Sequence, residues 1–291
     1  MATVVLALAA ALFYGAADFC GGLASRRVSS LAVVVWSQAV GLLVLIPALL
    51  AIRGIARPAD LSWGLACGIS GAFAIALLYR GLATGTMGIV SPITAVLAAA
   101  IPVAFAVARG ERPTALALFG IACALVAVVL VSASAPPPPP DERDGPARAP
   151  RARRFPPGIP EALGAGAAFG FFFIALAQTH ADAGLYPLLA TRLTSIAILA
   201  CGALLLRRPL HVARPGLPTV VAAGVLDMGA NVCYVLAAHA GALSIAAVVT
   251  SLYPAGTVAL AALLLRERLV LVQWAGVAVA LAGVLCIALA R

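Results

Sequence analysis

The sequence predicts an all-α integral membrane protein whose ten transmembrane helices form two inverted five-helix repeats. Three observations carry this. Hydrophobic residues make up 64% of the chain and charged ones 10%, with a mean hydropathy of +1.11, whereas soluble domains are about a quarter charged. The apolar residues fall into runs of about twenty, the length that crosses a hydrocarbon core. The part of the chain before a proline- and arginine-rich segment resembles the part after it.

Charges, turns and Pro/Gly clusters cut the chain into spans near residues 2–22, 31–51, 61–82, 88–108, 114–133, 161–181, 187–206, 217–239, 242–264 and 270–290. The first span lacks a basic region ahead of it and is followed by many others, so it reads as a mature helix and not a signal peptide. The stretch Met228–Leu265 has no Asp, Glu or Arg and is too long for one crossing; His239-Ala240-Gly241 supplies the turn. Residues 134–160, with "PPPPPDERDGPARAPRARR", cannot enter lipid and read as a solvated linker between repeats at 1–133 and 161–291.

The repeat rests on Glu111-Arg112 and Glu267-Arg268, each glutamate nine residues before a glycine, Gly120 or Gly276. The same offset of 156 aligns Thr94 with Thr250 and Val128 with Val284; one residue less brings Tyr79 onto Tyr234 and Tyr14-Gly15 onto Phe169-Gly170. An odd number of helices per copy makes the second copy enter the membrane from the opposite side, as in many secondary transporters. Both termini are then expected on one side, and the linker on the other.

The net charge of +9 comes from arginine alone. Seventeen of the nineteen lie outside the spans, twelve opposite the termini and five beside them, while Arg80 and Arg192 fall inside spans. They read as membrane-edge anchors and not as a nucleic-acid surface. By this bias the termini lie outside the cytoplasm. The six cysteines sit in apolar runs without CxxC spacing, so neither a disulfide framework nor a zinc site follows.

Intramembrane ionisable groups are functional candidates by default. On the first span Tyr14 and Asp18 are four apart and share a face; on the eighth Asp227, Asn231 and Tyr234 recur at i, i+4 and i+7. These five, together with Tyr79, Arg80 and Arg192, are the candidate lining of a substrate or proton site. Two readings stand side by side: each aspartate forms a structural pair with Arg80 or Arg192, or it handles substrate or proton. A carboxyl held in low dielectric gains and loses a proton near neutral pH and exchanges it for a cationic or amphipathic substrate.

Other polar residues have quieter readings. Glu111 and Glu267 read as interfacial ion pairs or caps, and His180 and His239 as interfacial anchors. Pro92, Pro102 and Tyr253-Pro254 mark bends in equivalent helices.

The two copies, each closing on a Glu-Arg turn and a glycine-bearing helix ("GERPTALALFGIACALVAVVL", "RERLVLVQWAGVAVALAGVLCIAL"), resemble EamA-type members of the drug/metabolite transporter superfamily. The resemblance covers nearly everything but the linker. It implies a multi-pass protein of the cell membrane, bacterial plasma membrane by the family's habit, with both termini cytoplasmic, against the arginine count. It also implies outward movement of a small metabolite, amino acid or drug without ATP, driven by an ion or substrate gradient with protons as a coupling ion. No GxxxxGK[ST] loop, HExxH or GxSxG occurs, so no cofactor and no enzymatic activity are expected. The rival readings are a non-transporting scaffold or receptor subunit and an intramembrane enzyme.

Overall fold

The computed structural model describes residues 1–25, 27–84, 87–131, 158–212, 214–264 and 270–290. The linker segment 132–157, Glu267-Arg268 and the side chain of Pro92 lie outside the described residues. Among those described there is no strand. The helices are α1 (Ala2–Ser25), α2 (Ser30–Ala51), α3 (Pro58–Thr84), α4 (Met87–Ala108), α5 (Ala115–Val131), α6 (Ile159–Ala177), α7 (Tyr186–Leu205), α8 (Leu217–Ala240), α9 (Leu243–Thr250), α10 (Tyr253–Leu264) and α11 (Leu271–Leu289). Six of them, α1, α2, α3, α6, α7 and α8, are long and apolar enough to cross a membrane; the apolar segments Ile93–Ala108, Ala115–Leu130, Leu243–Thr257 and Leu271–Ile287 are shorter.

Local chemistry sets the ends. α6, α7 and α8 carry Pro at the first helical turn, where a missing N–H costs nothing. Gly158, just ahead of α6, has φ +89°, a left-handed backbone that glycine adopts without strain.

The expected ninth span is two helices. Pro254 has no N–H to offer the Thr250 carbonyl, and its ring crowds the preceding turn, so α9 ends at Thr250 and α10 restarts at Tyr253. Proline alone is not sufficient, because Pro47 lies inside an unbroken α2 and Pro102 inside an unbroken α4. At the break α1 holds the chain from outside. Thr257 Oγ1 donates to the Gly15 carbonyl at 3.0 Å, and a Cβ on Gly15 would collide with the Tyr253 carbonyl.

The principal packing is between the two parts of the chain. α1 lies on α8, α9 and α10, and correspondingly α6 lies on α3 and α4; α2 packs on α7 and α8, α3 on α7, and α5 on α11. Exchanging the halves maps this pattern onto itself. Small residues bring the backbones together, as lipid requires where burying Leu against Leu gives no advantage. A Cβ on Gly120 would lie 2.7 Å from the Gly283 carbonyl, and one on Gly166 would lie 2.9 Å from the Thr94 carbonyl. Leu43, Phe73 and Leu281 point outward, exposed, as a lipid-facing surface demands.

The turns gather at two ends. At the end holding the amino terminus, Ile55 N–H donates to the Asp182 carbonyl at 2.9 Å, Gly241 abuts Thr3, and Ser244 Oγ donates to Glu111. At the other end Trp36 Nε1 donates to the Leu210 carbonyl at 2.8 Å, and Arg80 meets Glu161 at 3.4 Å.

Candidate functional site

Near the middle of α1 and α8 the halves share a cavity of about 30 Å³, lined by Tyr14, Gln38, Gly71, Ile75, Phe169, Phe172, Thr191, Arg192, Ser195, Asp227 and Asn231. Helix periodicity explains why the polar groups converge: Asp227 and Asn231 are one turn apart on α8, and Thr191 and Ser195 flank Arg192 on one face of α7.

The Arg192 side chain, 4% exposed, organises the wall. Nη2 donates to Asp227 Oδ2 in an ion pair, and Nη1 donates to Gln38 Oε1. Ser195 Oγ donates to the same Gln38 oxygen at 3.1 Å. Asn231 Nδ2 donates to the Asp227 carbonyl at 2.7 Å, and Thr191 Oγ1 donates to the carbonyls of Gly64 and Pro187 at 3.0 and 2.8 Å. Room for the guanidinium comes from Gly41, where a Cβ would lie 3.4 Å from Arg192 Cζ, and from Gly224, where a Cβ would collide with the Ser37 carbonyl of α2.

Of the residues singled out from sequence, Tyr14, Arg192, Asp227 and Asn231 meet at the cavity. Asp18 does not line it. It lies one turn along α1 from Tyr14, buried, within electrostatic range of Asp227, and among the described residues it has neither a hydrogen-bond donor nor a salt-bridge partner. The structure therefore gives the pairing role to Asp227 with Arg192 and leaves Asp18 without either arginine. Arg80 is 71% exposed and turned to Glu161 at the linker end.

The tyrosines divide in the same way. Tyr234, the third member of the α8 stripe, is fully buried and donates to the Phe173 carbonyl of α6 at 3.2 Å. Its ring lies 4.4 Å from that of Phe173, and Phe173 lies edge-on to Tyr14 at 6.2 Å. Tyr79 sets its hydroxyl against Gly21 of α1.

Gln38, Thr191 and Ser195 were not foreseen. Gln38 is the one amide in α2, and with Ser37 beside it interrupts a long apolar run; that interruption was the available signal.

A second polar cluster closes the amino-terminal end. Arg57 donates from Nη1 and Nη2 to the two carboxylate oxygens of Asp182, each at 2.5 Å, a two-point fork that guanidinium geometry favours. Those hydrogen bonds hold the Asp182 carboxyl below its ordinary value and raise Arg57. The buried Asp60 accepts from the His180 backbone N–H at 2.8 Å and pairs with its Nδ1 at 2.9 Å. His239 Nε2 meets Thr179 Oγ1 at 3.2 Å. Glu111, read as an interfacial ion-pair or cap residue, accepts from Ser244 in the first turn of α9. No group of three or more His, Cys, Asp or Glu among the described residues is arranged to hold a metal ion.

The sequence pattern of the EamA-like transporter family matches residues 1–133 and again 156–289. The chain belongs to the EamA-like transporter family. Membership makes it a multi-pass membrane protein of a transporter family. No curated protein matches it. Among solved structures, one titled only as the crystal structure of a protein is similar over 97% of this chain and 99% of its own, with a TM-score of 0.73 and 17% identity. That is a likeness of fold alone. The EamA-like segments and the cavity coincide in an informative way: the first supplies Tyr14 and Gln38, the second Arg192, Asp227 and Asn231.

Proposed function

We propose that this EamA-like protein is a secondary-active transporter. It moves a small metabolite, amino acid or drug-like compound outward by alternating access between two inverted five-helix repeats, residues 1–133 and 161–291, joined by the linker 134–160. The carrying observation is the polar cavity formed jointly by both halves at mid-helix depth, the place where inverted-repeat transporters bind substrate. Ten crossings are supported by the grouping of turns at two ends and by the symmetric helix pairing. In this reading the four shorter apolar segments cross as well.

The cavity, about 30 Å³, has room for a water or two, whereas small-molecule pockets run to roughly 300–1,000 Å³. In this conformation the cavity is too small for such cargo, and helices must part to admit it. Asp18 serves as the exchangeable proton site, being a near-buried carboxyl with no cationic partner among the described residues.

The test is uptake of labelled amino acids and cationic dyes into vesicles containing the purified protein, with and without a proton gradient. Asp18→Asn should keep the protein folded and strongly reduce gradient-driven flux. A stable Asp18→Asn variant with undiminished, still proton-dependent transport removes Asp18 from the mechanism.

A further inference from the structure

The cavity's hydrogen-bonding capacity is unevenly spent. Among the described residues Arg192 is the only cationic side chain lining it, and two of its five N–H groups are spent within the wall, Nη2 on Asp227 and Nη1 on Gln38. Its Nε is buried without a partner, and it is seated 3.5 Å from where a Cβ of Gly41 would stand, against α2. A carboxylate arriving in the cavity takes the Nη1–Nη2 edge only by displacing Asp227 or Gln38, and the buried Nε offers it no exposed donor.

Acceptors are open as well. Asp227 uses Oδ2 on Arg192 and leaves Oδ1 without a donor among the described residues, with its side chain 17% exposed. Asn231, 4% exposed and part of the lining, spends an amide N–H on the Asp227 carbonyl, and its Oδ1 has no donor among the described residues. The rings of Tyr14, Phe169 and Phe172 complete the wall, and aromatic faces attract cations. Charge agrees with this: Asp227 and Arg192 cancel, and Asp18 beyond them has no cationic partner among the described residues.

We propose that the cargo is a monocation bearing N–H donors, a protonated amine, which docks on Asp227 Oδ1 and Asn231 Oδ1 between the aromatic rings, with Arg192 acting as a fixed counter-charge and not as a carboxylate receptor. The proposal rests on the cavity being the substrate site and narrows the cargo to compounds for which a carboxylate is dispensable.

Three probes of matched length separate the cases: n-butylammonium, 4-aminobutyrate and butyrate, each tested for binding to the purified wild-type protein and for uptake into vesicles containing it. n-Butylammonium should bind about tenfold or more tightly than butyrate, as expected for a charge contact made against one refused. Asn231→Leu, which leaves the Arg192–Asp227 pair in place, should weaken n-butylammonium binding and leave the butyrate response unchanged. Arg192→Gln should retain or strengthen amine binding, because Asp227 is then released. Butyrate or 4-aminobutyrate binding more tightly than n-butylammonium, with that preference lost in Arg192→Gln, overturns the proposal and leaves the transporter reading standing. Failure of all three probes to bind, in a preparation that still transports dyes, overturns the proposal together with the assignment of this cavity as the site.

Discussion

Asp227→Asn isolates the ion pair at the centre of the molecule. The substitution keeps the side-chain volume and removes the charge facing Arg192, whose side chain is 4% exposed against 17% for Asp227. Breaking a buried pair by neutralising one partner costs about 3–5 kcal/mol, because the other charge is left uncompensated. Two features place this case at the lower end: Gln38 still accepts from Nη1, and the Asp227 side borders the cavity. A loss of about 3 kcal/mol corresponds to roughly 6–12 °C at the 2–4 °C per kcal/mol typical of larger domains. Thermal unfolding of the purified variant in one detergent, beside Asp18→Asn, measures it. Asp18 has no partner to strand among the described residues, so its neutralisation should leave the midpoint unchanged or raised. Combining Arg192→Met with Asp227→Leu removes both charges and should recover most of the loss. The reasoning is refuted if Asp227→Asn unfolds with the wild type, or if Asp18→Asn falls as far as Asp227→Asn.

Two further outcomes follow from other contacts. Gly224→Ala places a Cβ against the Ser37 backbone carbonyl, which cannot swing aside, so α2 and α8 must separate at a cost of about 1–3 kcal/mol; an unfolding midpoint equal to wild type contradicts that close approach. Asp182, held by Arg57 below its ordinary value of 3.8, contributes stability that is present above that value and lost as pH falls through the depressed one. The midpoint difference between wild type and Asp182→Asn should therefore be present at neutral pH and close in acid below 3.8, and a difference that widens in acid excludes the fork as its source.

What was legible in the sequence is what depends on neighbouring residues alone. Apolar run length located the helices to within a few residues, because a span's length is set by the bilayer and its ends by Pro, Gly and charge. The i, i+4 spacing brought Asp227 and Asn231 to one face by backbone geometry. Tyr234 at i+7 keeps nearly the same face but stands about 10 Å further along α8, where its hydroxyl meets the Phe173 carbonyl of α6 instead of the cavity. Partner choice was not legible. Arg192 reaches Gln38, 154 residues away, and Asp227, 35 residues away, because α2, α7 and α8 are rotated and brought close by Gly41 and Gly224. The same tertiary packing sent Arg80 to Glu161, left Asp18 alone among the described residues, and let Pro254 break a helix where Pro47 and Pro102 do not. Period and length are properties of one helix. Which side chains meet depends on how helices from distant parts of the chain turn toward one another, and only the folded arrangement decides that.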